Sequence, residues 1–285
     1  MIAVTGATGQ LGRLVINALL KKVPASEIIA AVRTPDKAHE LAALGVQIRK
    51  ADYSQPATLD TAFQGVDKLL LISSSEVGQR IAQHSAVIAA AKRAGVKLLA
   101  YTSLLHADKS PLGLGEEHRA TEALLRESGL PVVLLRNGWY TENYAASIAP
   151  ALAHGAFIGA VAEGRIASAA REDYAEAAAV VLTQENQAGK VYELAGDDIY
   201  TLAEFSAEIA RQSGKAVVYH DLSEADFKQA LLDAGLPDVF ASLLADSDAG
   251  AAKGGLFDDS HTLSKLIGRP TTPYADVIAA TLATR

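Results

Sequence analysis

The sequence predicts an α/β protein: a doubly wound parallel sheet followed by a smaller, mostly helical C-terminal cap. Three observations predict it. The chain opens with a strand, a glycine-rich turn and a helix. Its later strands are apolar throughout rather than alternating. Strand and helix then follow one another six times with short connections, which is the Rossmann arrangement.

The first element is the most informative. Ile2-Ala3-Val4-Thr5 reads as a short strand running straight into glycines at three-residue spacing, and Leu14 to Leu20 reads as the helix behind them. Gly6 permits a sharp turn, Gly9 lets a pyrophosphate approach the backbone, and Gly12 lets the helix lie close on the strand. The free amides and positive dipole end of the helix then face an anion. Gly6, Ala7, Thr8, Gly9, Gln10, Leu11 and Gly12 are therefore predicted to bind the phosphates of a dinucleotide. An ordinary strand-to-helix turn is the competing explanation.

Ile28 to Val32 is the second strand, and it ends at Arg33; Thr34-Pro35-Asp36 then opens a helix with a capping residue and a proline at its first position. An acidic residue at this strand end accepts from the adenosine ribose of NAD, whereas an arginine there accommodates the 2′-phosphate of NADPH. Arg33 therefore points to NADPH, the alternative being a solvated arginine at a helix start. Val46 to Arg49 is a short third strand. Asp52 follows it, either bordering an adenine or capping the helix near Thr58 to Phe63.

The fourth strand, Asp67 to Ile72, spills into Ser73, Ser74 and Ser75, on the sheet edge that carries the glycine loop. Small hydroxyl residues there can bond the nicotinamide half or simply build a turn. An alanine-rich helix from about Ile81 to Ala94 precedes the fifth strand, Val96 to Tyr101. That strand ends in Thr102, also assigned to cofactor binding. A helix through Glu116 to Ser128 leads to the sixth strand, Pro131 to Arg136, and to Asn137, Trp139 and Tyr140. Asn137 offers an amide, and the two aromatics offer flat surfaces to a planar acceptor; core packing for Trp139 and a surface lid for Tyr140 are the alternatives.

Beyond Asn143 the alternation breaks down. A helix and a short extended segment fill about Ala145 to Ala169, a helix from Arg171 to Leu182 returns to the sheet, and Val191 to Leu194 is a strand. After Thr201 the chain is mostly helical, with helices at Thr201 to Ser213, Ser223 to Ala234, Pro237 to Leu244 and from Thr272, and a strand at Ala216 to Tyr219. The expected division is a dinucleotide-binding domain at 1–143 with 171–195 returning to it, and a substrate cap at 144–170 and 196–285. Lys253 to Phe257 is a flexible loop, an interhelical connection or a lid over the cleft.

Composition removes several classes of function. Cysteine is absent, which excludes disulfides, thiolate nucleophiles and cysteine-ligated metals. The 33 acidic and 26 basic residues leave no basic patch for nucleic acid or an anionic membrane. No apolar run approaches the roughly 20 residues that span a bilayer, and no basic segment precedes the first apolar residues, so a cytoplasmic protein is expected.

The opening TGATGQLG, the pattern His118-x-x-x-Glu122-x-x-Leu125-x-x-x-Gly129, the segment Leu135-Arg136-Asn137-Gly138-Trp139-Tyr140-x-Glu142-Asn143 and the run Ala170 to Ala175 resemble the NmrA-like branch of the atypical short-chain dehydrogenases, nearly end to end. The stretches KLLLISSSEVGQR, AYTSLLHAD and LLRNGWYTENY look like its quinone-reducing members, whose near relatives reduce triphenylmethane dyes. The resemblance implies NADPH as cofactor and a planar acceptor such as a quinone. With the reading of the sixth-strand end, Asn137, His118 and Tyr140 are the expected catalytic residues, and Asn137, Trp139 and Tyr140 are also expected to contact the cofactor. The resemblance also exposes a departure. Members of the wider superfamily protonate substrate with a tyrosine and a lysine four residues later, but alignment on Glu122 puts Leu114 and His118 in those places.

A ketone reduced by hydride leaves a strongly basic alkoxide that needs a proton donor. A quinone leaves a phenolate, with a pKa near about 10 by analogy with tyrosine, which water can protonate. His118 is read as a proton donor, a ribose ligand or a helix-surface residue. The leading expectation is thus a flavin-free, metal-free NADPH-dependent quinone reductase. The rivals are an NADP(H)-binding redox sensor and a reductase of planar dyes. A homodimer is compatible with the sequence, although no stretch announces an interface.

Overall fold

The computed structural model describes residues 1–76 and 78–284. Its strands are β1 (Ile2–Thr5), β2 (Ile28–Val32), β3 (Gln47–Lys50), β4 (Lys68–Leu71), β5 (Leu98–Leu104), β6 (Val132–Asn137), β7 (Ala156–Gly159), β8 (Val191–Leu194) and β9 (Val218–Asp221). The helices between them are α1 (Gln10–Leu20), α2 (His39–Ala43), α3 (Pro56–Ala62), α4 (Arg80–Arg93), α5 (Gly115–Glu127), α6 (Thr141–Ala145), α7 (Ile148–His154) and α8 (Arg171–Thr183). The chain continues with α9 (Leu202–Ser213), α10 (Glu224–Asp233), α11 (Asp238–Ala252), α12 (Thr262–Ile267) and α13 (Tyr274–Ala283).

Seven strands form one sheet in the order β3-β2-β1-β4-β5-β6-β8, and β1 pairs in parallel with β2 on one side and β4 on the other. The chain therefore reverses its direction of travel across the sheet between β1 and β4. That is the switch point outside which open α/β sheets bind ligands.

By its internal contacts the chain divides into two compact units: residues 1–103, 117–136 and 171–192, and residues 104–116, 137–170 and 193–285. In the first, Ala3, Ile29, Leu69, Leu71 and Leu99 of the sheet pack with Leu59, Phe63, Val87 and Ala90 of the helices on that face. Elsewhere in the unit α1, burying Leu11, Val15, Ile16 and Leu19, packs against α8, where small Ala175, Ala177, Ala178 and Ala179 let the two helices approach closely.

The second unit takes in more of the chain than the sequence assigns to the cap. Residues 104–116 belong to it because Leu104, Ala107 and Leu112 insert into its core, beside Trp139, Tyr144, Phe157, Tyr200 and Phe205. Its two strands, β7 and β9, form a separate parallel pair.

Several expected elements shift. β5 runs on through Thr102 and Ser103 to Leu104, every residue buried, so the hydroxyls lie within the strand and not beyond it. β6 ends on Asn137 itself. The single helix expected after Asn143 is two short ones, α6 and α7, and α11 is longer than expected, reaching Ala252. Thr34 makes no side-chain cap, and Pro35–Ala38 is a 3₁₀ turn leading into α2. The segment 253–257 is anchored by Leu256, which is buried and whose carbonyl accepts from the Ala167 amide.

Candidate active site

A cleft of about 580 Å³ opens in the first unit at the switch point. Its floor is the β1–α1 turn. Gly6 sits at φ +59°, a conformation that side-chain-bearing residues rarely adopt, and the Gly9 amide donates to the Gly6 carbonyl at 2.9 Å. A Cβ on Gly12 would lie 2.3 Å from that same carbonyl oxygen, so the turn closes only around glycine. Gly9 is the N-cap of α1; no side chain caps the helix there and its first turn holds no acidic residue. The helix N-terminus is thus left for an external anion, which its unpaired amides and dipole favour.

The walls come from the strand ends on either side. Gly6, Thr8, Gly9, Gln10, Leu11 and Gly12 line the cleft with Arg33, Asp52, Ser73, Ser74 and Ser75, so most residues assigned to cofactor binding converge there. Ala7 is buried beneath the turn. Thr102 is buried too and supports the wall from behind, its Oγ1 accepting from the Ser73 amide at 2.8 Å. Asp52 lines the cleft, yet its carboxylate also accepts from the Ser54 amide at 3.0 Å and from Gln55 Nε2 at 2.9 Å. It therefore holds the turn into α3 as well.

Sequence reasoning missed Tyr53, Glu76 and Gln83, which also line the cleft. The Tyr53 hydroxyl reaches Thr5 Oγ1 at 2.6 Å, while the Thr5 hydroxyl donates to the Leu70 carbonyl and its oxygen accepts from the Ile72 amide. Thr5 thereby pins the ends of β1 and β4 to each other. Burial pushes the Tyr53 hydroxyl well above its ordinary pKa. Across the opening, Arg33 Nη1 donates to Glu76 Oε1 at 2.8 Å.

Behind the serines lies a polar cluster of α4 and α5. The Ser74 amide donates to His84 Nε2 at 2.9 Å, and His84 Nδ1 meets Thr121 Oγ1 at 2.9 Å. The His118 ring is buried, not on the helix surface, with Nδ1 2.7 Å from the Tyr101 hydroxyl. Burial, and then the nearby positive Arg80, hold His84 down at about 4 and His118 at about 3, so both rings are neutral at neutral pH. Glu122, which the sequence shows only as part of a family pattern, is 2% exposed and grips Arg136 at 2.9 and 2.8 Å while accepting from Ser103 at 2.6 Å. This bidentate pair ties α5 to β6.

In the second unit, Asn137 is 5% exposed and its Oδ1 is the one buried side-chain atom without a hydrogen-bond partner among the described residues. An orphaned buried acceptor costs stability and calls for an external donor. Trp139 is buried in the core, tilted against Tyr144 with ring centroids 6.5 Å apart. Tyr140 is half-buried at the start of α6 and bridges to Ala169. Leu114, in the place of the superfamily's tyrosine, packs against the same core.

This geometry is that of a dinucleotide-binding oxidoreductase fold, and the chain belongs to the NmrA-like family, which matches residues 1–266. It is 63% identical over 279 residues to quinone oxidoreductase 2 of Escherichia coli (strain K12), covering 98% of each chain. Among solved structures it is similar to an NADPH-dependent quinone oxidoreductase of E. coli complexed with NADPH, with a TM-score of 0.97, 62% identity, and coverage of 99% of this chain and 100% of that one. A Citrobacter sp. triphenylmethane reductase complexed with NADP(H) gives a TM-score of 0.94 at 41% identity, with the same coverage.

Proposed function

We propose that this chain is a cytoplasmic NADPH:quinone oxidoreductase that uses neither flavin nor metal. The observation that carries the reading is the uncapped glycine cradle with Arg33 on its wall, in a chain similar over 98% of its length to a quinone oxidoreductase. The residues present fit the cofactor: the cradle closes only around glycine, and the start of α1 is left without a side-chain cap or an acidic residue. NADPH, when bound, supplies a hydride from its nicotinamide C4.

The chain's own groups bind and orient. The α1 amides and the Gly6 to Gly12 turn hold the pyrophosphate, Arg33 the 2′-phosphate, and the hydroxyls of Ser73 to Ser75 the nicotinamide half, with Thr102 supporting Ser73. Asn137 accepts from the carboxamide or orients the acceptor carbonyl, and Tyr140 offers the acceptor a flat face. His118, neutral at working pH, contributes by hydrogen bonding and not as an imidazolium acid. Protonation of the product phenolate is left to water, which matches the leucine in place of the superfamily's tyrosine. Proximity and orientation then supply the catalysis. The acceptor is a small planar molecule, with no role for nucleic acid or membrane; a homodimer is compatible with this reading.

The likeness to the triphenylmethane reductase favours a second reading, in which the acceptor is a planar cationic dye. One assay separates the readings: loss of the reduced-nicotinamide absorbance with purified protein, NADPH or NADH, and either a small benzoquinone or a triphenylmethane dye. Oxidation above the protein-free blank with the quinone, and with NADPH preferred, is expected. Turnover with the dye alone would move the acceptor class. Binding without any turnover would replace the enzyme by a sensor.

A further inference from the structure

The cofactor cleft carries two opposed signals for the adenosine ribose. Arg33, at the end of β2, is the residue type that takes a 2′-phosphate. Glu76, beyond β4, is the residue type that accepts from an unphosphorylated 2′-hydroxyl, and it meets Arg33 at 2.8 Å. Both line the same cleft.

The two partners differ in how they are held. Glu76 Oε2 accepts from Gln83 Nε2 at 2.8 Å, Gln83 Oε1 accepts from the Ser74 hydroxyl at 2.5 Å, and the Glu76 amide donates back to Ser74 Oγ at 3.2 Å. The carboxylate is therefore tethered to the β4 end independently of Arg33. The Arg33 side chain is 69% exposed, and its ion pair with Glu76 is its one hydrogen bond among the described residues. It is the partner free to leave.

We propose that Glu76 is a selectivity residue for the coenzyme, acting as a tethered counter-ion that Arg33 gives up when a 2′-phosphate arrives. The phosphate, with more negative charge and more acceptor oxygens than a carboxylate, wins the guanidinium. Glu76 stays with Gln83 and faces the new anion, so it opposes NADPH twice, by holding Arg33 beforehand and by repelling the phosphate afterwards. With NADH the ion pair stays intact and the carboxylate accepts from the ribose hydroxyl. Glu76 thus holds the NADPH preference below what Arg33 alone would set and keeps NADH usable. The proposal rests on Arg33 being the 2′-phosphate site.

Calorimetric titration of the full chain with NADPH and with NADH, for wild type, Arg33→Ala, Glu76→Gln and the double variant, tests it without relying on turnover. Glutamine keeps an acceptor for Gln83 and removes the charge. Glu76→Gln is expected to tighten NADPH about fivefold, the scale of an exposed ion pair, and to weaken NADH, with the NADPH gain shrinking in the Arg33→Ala background. If Arg33→Ala selectively weakens NADPH but Glu76→Gln leaves the ratio of the two affinities unchanged or weakens NADPH, the proposal is overturned while the 2′-phosphate reading stands. If Arg33→Ala weakens both coenzymes equally, that reading falls and takes the proposal with it. Glu76→Ser, tested in parallel, guards against an effect peculiar to the glutamine side chain; it too must tighten NADPH.

Discussion

Two arginine–glutamate pairs in the first unit show how surroundings decide what an ion pair is for. Arg136–Glu122 and Arg33–Glu76 have the same shortest separation, 2.8 Å. The first is side-chain exposed by only 11% and 2%, is bidentate, and has Ser103 as a further donor; the second is exposed by 69% and 45%. In the first, both charges are largely withdrawn from water and held in the unit's interior, Arg126 also lying 3.8 Å from Glu122, so the pair belongs to the fold. In the second, water screens the attraction and Arg33 can change its companion cheaply, so its guanidinium is available to a ligand.

The largest expected effect attacks the buried pair. Glu122→Ala takes the bidentate carboxylate away from the Arg136 guanidinium, and urea unfolding should show a loss of about 3–5 kcal/mol. A loss under about 1 kcal/mol would mean that Arg136 finds water and that the contrast between the pairs is false.

An intermediate effect comes from buried bases in the same unit that are neutral instead of paired. His84 and His118 have folded-state values of about 4 and about 3 against an ordinary 6.5. The unfolded chain therefore takes up protons first. Their contribution is whole above pH 6.5 and is lost as the pH falls toward 4 and then 3, on the order of 2 kcal/mol per histidine by pH 5. In the second unit Asp248, which burial raises to about 6, has the opposite sign, disfavouring the fold as the pH rises from 3.8 through 6. The measurement is thus a difference: stability against pH for wild type and His118→Asn, whose acid-side slope should shrink by about one proton. Parallel slopes would show that His118 protonates within the fold.

The smallest effect is expected at the exposed pair. Arg33→Ala should change stability by less than about 1 kcal/mol in the same unfolding experiment. A larger loss would make Arg33 a structural residue and remove the distinction drawn between the two pairs.

The local features of the site were legible in the sequence, for a physical reason. The strand, the glycine turn and the start of α1 are contiguous, so the residues that shape the cradle are also those that the spacing displays. Arg33 and Ser73 to Ser75 were legible because parallel strands all end at one edge, which converts position along a strand into position in space. Trp139 shows the limit. Its aromatic character favours a ligand surface in the sequence, with packing as the alternative, and the structure buries it in the second unit's core with Tyr144 beside it. Glu122 and Arg136 both lie within family motifs that do not reveal their ion pair, since burial is a property of the assembled unit.

By itself, then, the sequence determined the alternation of strands and helices, the anion cradle and the basic residue at the end of β2, because short-range periodicity and backbone sterics act within a few neighbours. Tertiary structure alone decided that His118 is buried and neutral, that Asn137 carries an orphaned oxygen, and that Glu76, 43 residues from Arg33, faces it at 2.8 Å. Desolvation and the meeting of charges depend on which distant segments come together, and no local pattern encodes that.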